Sequence, residues 1–134
     1  MPTLQEIEES DWGDPDSGET KMVQRCLALR RKPLADFDDE DLRLMIGQQI
    51  GTDQLVPLGI EAVRSNPQAS GNMFEGALLE NILGVEDDWW KSNQDDEAHL
   101  IEIIKKINWS EAFERGVREK AVGWIEDRGV LDAQ

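Results

Sequence analysis

Apolar residues recur at helical spacing along most of this chain, and nowhere do they alternate long enough to predict a strand of any length. Val23, Cys26, Leu27 and Leu29 predict a helix from Thr20, a good capping residue, to the neighbourhood of Arg30, with Pro33 as its stop. The next start is better marked. Asp38 suits an N-cap, Asp41 stands at N3 as a short capping-box acid, and Phe37 at N′ can staple to Leu42 at N4. Leu42, Met45, Ile46 and Ile50 continue that helix, with Gly51 as a natural terminator. A third helix is expected over 53–65, carrying Leu55, Leu58, Gly59 and Ala62 on one face. Pro57, just past its first turn, predicts a kink or a late start.

Asn66-Pro67 ends that helix, and Phe74, Leu78, Leu79, Ile82 and Leu83 predict a short fourth one. Residues 84–93 read as an irregular acidic connection. Leu100, Ile103, Ile104 and Ile107 predict a helix over 94–107. Asn108 with Glu111 repeats the capping-box pattern, so the last helix is expected to begin near Trp109. Phe113, Val117, Ala121 and Trp124 would line its inner side, and Gly129 would end it. Only 84–85 or 130–131 could pair locally as strands. The expected fold is all-α, an irregular single-domain bundle of about five or six helices spanning 20–134. Ahead of it, residues 1–19 hold seven acids and no base, broken by Gly13, Pro15 and Gly18. They read as an acidic N-terminal arm with a short helical turn around Leu4–Glu9 and with Trp12 as its anchor on the body.

Composition narrows the function. A chain of 134 residues with 39% apolar content suits one domain with a real core. The net charge of −15, from 29 acids against 14 bases, repels phosphate backbones and anionic lipid, so neither nucleic acid nor a membrane surface is an expected partner. A basic protein would be attracted, and nucleases are commonly basic because their substrate is a polyanion. The lone Cys26 cannot form an internal disulfide and fits a buried thiol in a reducing cytosol. The acidic start is the opposite of a signal leader, and no apolar run approaches the roughly 20 residues that cross a bilayer, so a cytoplasmic location is expected.

Candidate chemistry is sparse. Asp36, Asp38, Asp39, Glu40 and Asp41 match a hard-cation site by count. They lack the alternating ligands and central glycine of a calcium loop, and helix capping explains their positions. His99, the only histidine, stands off the apolar stripe and far from Cys26. No Ser/His/Asp order, glycine-rich phosphate loop or zinc-ligand spacing is present. No catalytic, cofactor-binding or metal-ligating residue is therefore assigned. The basic run Lys21, Arg25, Arg30, Arg31 and Lys32 is expected to pair internally, with the arm or with the acids at 36–41. Binding has better support. Glu86, Asp87 and Asp88 stand beside Trp89 and Trp90, followed by Asp95, Asp96 and Glu97. Tryptophan anchors flanked by acids suit a basic protein surface, and these eight residues are the candidate partner-binding site.

An ordered string of motifs adds a family. Leu-Arg-Arg-Lys-Pro-Leu-Ala-Asp-Phe at 29–37 is followed by Glu-Asp-Leu-Arg-Leu-Met-Ile-Gly-Gln-Gln-Ile-Gly at 40–51. Then come Leu-Val-Pro-Leu at 55–58, Asn-Pro at 66–67 and Gly-Asn-Met-Phe-Glu-Gly-Ala-Leu-Leu at 71–79. Over roughly residues 10–85 the chain resembles the contact-dependent growth inhibition (CDI) immunity proteins. The resemblance implies a helical, non-catalytic, cytoplasmic antidote that binds one cognate toxin, the C-terminal domain of a large secreted protein. The family alone does not say which toxin is bound; the acidic charge points to a basic one, expected to be a nuclease, blocked at its active site or at an exosite. In the family's usual pattern acids follow Gly71 and Gly76, and a tyrosine stands at Phe74. This chain has Asn72, Ala77 and Phe74, so any polar network made by those groups is altered here. A reading from another class is a helical adaptor or regulatory subunit whose acids serve solubility. Whether the neighbouring gene encodes a secreted toxin separates the two.

Overall fold

Local capping chemistry sets where several helices begin. The computed structural model describes residues 2–10, 12, 20–70, 76–109 and 115–128. Among them are eight α-helices and no strand: α1 (Leu4–Glu8), α2 (Lys21–Leu29), α3 (Asp39–Gly47), α4 (Thr52–Ser65), α5 (Ala77–Leu83), α6 (Asp87–Ser92), α7 (Gln94–Lys105) and α8 (Arg115–Glu126). Thr20 caps α2 by accepting from Val23 N at 3.3 Å. The expected box at α3 is present, with Asp41 N donating to Asp38 Oδ1 at 2.9 Å and Asp38 N to Asp41 Oδ2 at 3.2 Å. A second box, Thr3 with Glu6, starts α1. A short 3-10 turn, Leu34–Asp36, follows Pro33.

Two boundaries differ from the expected ones. Helix α3 ends at Gly47, Gln49 turns into the left-handed region at φ 56°, and Gly51, at φ 65°, caps α4 rather than closing α3. Helix α4 begins at Thr52, ahead of Pro57, because Gly51 O accepts from Gln54 N and Leu55 N and so completes the first turn. The larger correction concerns 84–93, expected to be irregular. Asp87–Ser92 is helical, with two acids in its first turn where the helix dipole favours them. Phe74, Glu111, Phe113, Gly129 and 130–131 lie outside the described residues.

Helices α3, α4 and α5 form the centre of the bundle, with α7 against α4, α8 against α5, α6 against α7 and α2 against α3. Leu78, Leu79 and Ile82 of α5 are fully enclosed, as are Leu55, Val56 and Val63 of α4. Close approach depends on Gly59, where a Cβ would stand 2.9 Å from Ile46 Cδ1 and 3.1 Å from Ile82 Cδ1. Asn81 Nδ2 ties α5 to α3 by donating to Arg43 O at 2.8 Å. Cys26 is buried, and burial pushes its thiol pKa up, which suits an inert core residue.

The N-terminal segment is seated by Leu4. Its side chain is fully buried and occupies the space a Cβ would need at Gly51. Gln5 N donates to Arg30 O, and Leu34 N to Pro2 O. Trp12, expected to be the anchor, rests on the body with its ring 3.9 Å from the Arg30 guanidinium, while remaining 50% exposed. Arg30 itself is 1% exposed. It pairs with Glu8 and donates to Ser10 O at 2.7 Å.

Candidate partner-binding surface

The site is built on a column of aromatic side chains. Adjacent residues on a helix point about 100° apart, so only one of a tryptophan pair can face the core. On α6 that residue is Trp90, 1% exposed. It meets Trp89 edge to face at 5.0 Å and Trp124 of α8 at 5.3 Å, both favourable T-shaped geometries. Trp90 is thus a core residue, and of the two it is Trp89 that borders the surface. Trp89 is fixed as well, because its Nε1 donates to Asp53 Oδ1 on α4 at 2.7 Å.

A single residue joins α6 to α7. Asn93 ends one helix and precedes the other, its N–H donating to Trp90 O at 3.1 Å and its Nδ2 to Trp89 O at 2.8 Å. Glu97 N donates back to Asn93 O at 3.1 Å. The elbow leaves a cleft of about 350 Å³ lined by Lys91, Ser92, Asn93, Gln94, Asp95 and Asp96.

The eight expected residues divide into three groups. Glu86, Asp88 and Asp95 are exposed and Asp96 is half-buried beside the cleft. Asp87 and Glu97 are drawn together by Arg128, which follows α8. Its Nε donates to Glu97 Oε2 at 2.9 Å and its Nη2 lies 3.5 Å from Asp87 Oδ1. The third group is the tryptophan pair, one outward and one inward. Asp53 and Arg128 were not foreseen. They lie 36 and 41 residues from Trp89 and Asp87 in sequence, and no local pattern links them.

A second acidic cluster behaves differently. On α3, Glu40 and Asp41 are buried and held by cations. Arg43 donates to both Glu40 oxygens at 2.6 Å, Arg25 lies 3.1 Å from Glu40 Oε2, and Lys32 donates to Asp41 Oδ2 at 2.6 Å. The hydrogen bond to Asp41 raises the Lys32 pKa, and that to Glu40 raises the Arg43 pKa. The basic run therefore pairs both with the arm, through Arg30, and with the acids of α3. His99 is exposed and shares a separate cleft with Arg64, Glu102, Ile103 and Lys106.

The chain matches the family model of the CDI immunity proteins over residues 6–100, and it belongs to that family. Membership implies a protein that neutralises a CDI toxin. The matched span includes α6 and the first half of α7, while α8 and Arg128 lie beyond it. No curated protein and no solved structure matches the chain significantly. Among the described residues no helix is long and apolar enough to cross a membrane.

Proposed function

We propose that this protein is a non-catalytic, cytoplasmic immunity protein that binds a basic toxin domain, a nuclease, through the α6–α7 surface. It would act by covering the toxin's active site or an adjoining exosite. One observation carries the reading: between residues 86 and 97 six acids stand against one lysine, and Glu86, Asp88 and Asp95 face solvent. Such a surface attracts a polycation and steers its approach, while the partly buried Trp89 supplies apolar contact at its margin. The toxin would be the C-terminal domain of a large secreted protein. The charge of −15 supports a basic partner over nucleic acid.

The test is association with the toxin domain encoded by the neighbouring gene, followed by stopped flow at low and high salt. Replacing Asp88, Asp95 and Asp96 together by lysine should slow association at least tenfold at low salt and flatten its salt dependence, with dissociation changed less. Unaltered association in the folded triple variant would move the interface elsewhere.

A further inference from the structure

We infer that Arg128 is a positioning residue for the partner-binding surface: it locks the angle between α6 and α7, so that the acids are held in place before a partner arrives. This rests on the α6–α7 reading given above. Four contacts converge on one guanidinium. Its Nε donates to Glu97 in the first turn of α7, and Nη2 reaches Asp87, the first residue of α6. Nη1 donates to Trp124 O at 3.0 Å, and the plane lies 3.8 Å over the Trp124 ring. The side chain is 13% exposed.

The arrangement does more than pair charges. Asp87 is 80% exposed and its contact is long, so that bond alone adds little. What Arg128 adds is geometry. The α6–α7 elbow is one residue long and is pinned from within by Asn93. Arg128 adds a second pin, joining the starts of both helices to the end of α8. Without it Asp87 and Glu97 would face each other as like charges across the elbow. A planar fork that stacks on an indole and bonds edge-on cannot be replaced by an ammonium group. Preorganisation of this kind lowers the ordering cost of binding and shows in dissociation more than in association.

The experiment compares the full-length parent with Arg128→Gln and Arg128→Lys, each at a temperature where circular dichroism shows it fully folded, against the same toxin domain. Arg128→Gln removes a positive charge, so association should hold or quicken, while dissociation should speed by about tenfold. Arg128→Lys should keep the charge and still dissociate faster, a result that loss of charge alone cannot produce. Should either Arg128 variant fail to fold, Glu97→Ala, which removes the shorter acid contact and leaves the stack intact, should speed dissociation more than Asp87→Ala. Parent-like dissociation in folded Arg128→Gln, or full rescue by Arg128→Lys, overturns the positioning role. The two readings fail separately. If the triple lysine variant leaves association unchanged, the surface itself is wrong and the role falls with it. If that variant slows association and Arg128→Gln dissociates like the parent, only the positioning role is lost.

Discussion

Glu40 and Asp41 lie buried on α3 with Arg25, Lys32 and Arg43 around them, whereas Glu86 just ahead of α6, Asp88 on α6 and Asp95 on α7 face water. Both regions are acidic runs at helix starts, and by sequence they look alike. Burial separates them. A carboxylate taken out of water must be paired, so the α3 acids are bound up in the scaffold and are unavailable to a partner. Glu86, Asp88 and Asp95 keep their hydration, contribute little to folding and leave their field pointing outward. A domain can thus carry one set of acids that holds it together and another that stays open to solvent.

The strongest way to break this comparison is through the floor beneath the outward acids. Trp90→Ala should cost about 3–5 kcal/mol in equilibrium denaturation, because it empties a fully enclosed site between Trp89 and Trp124. A loss of under about 1 kcal/mol would mean that α6 is a loose appendage and its acids are not held by the core. A direct contrast comes next. Arg43→Ala leaves buried Glu40 with two fewer hydrogen bonds and should cost about 2–3 kcal/mol. Asp88→Lys, on the exposed surface, should stay within about 0.5 kcal/mol of the parent. Equal costs for the two variants would abolish the distinction between scaffold acids and outward ones.

The smallest effect is a matter of pH. The Lys32 pKa is raised in the folded protein by its hydrogen bond to Asp41. Its contribution is therefore fully present below the unfolded lysine value and is lost as pH rises through the folded one. The stability difference between the parent and Lys32→Met should be flat through neutral pH and shrink only above about pH 10.4. A difference that vanished between pH 7 and 9 would show that the ammonium is not held by Asp41.

Much of the scaffold was legible in the sequence because its signals are local. The Asp38–Asp41 box, the Thr20 cap and the Leu100–Ile104 stripe each lie within a few residues, and each is present in the structure. Helix α6 was not legible. Six residues give less than two turns, too few for a period to show, and Glu86 makes no side-chain cap bond. With α6 read as irregular, nothing could say which of Trp89 and Trp90 faces inward. The boundary at Gly51 misled for a related reason. A glycine suits the end of α3 and the start of α4 equally, and the seat of Leu4 is settled only by packing. The roles of Asp53 and Arg128 depend on contacts across the fold, which spacing along the chain does not encode.

The stacked indoles have a consequence beyond packing. The chain has five tryptophans and no tyrosine, so indole dominates its near-ultraviolet emission. Trp89, Trp90 and Trp124 stand edge to face at 5.0 and 5.3 Å, close enough for excitation to pass among them. One end of that relay borders solvent beside Asp53, and the other lies under a guanidinium. The protein thus carries its own optical probe at the surface in question. A molecule settling over Trp89 would change the emission of the whole relay without a dye attached to either partner.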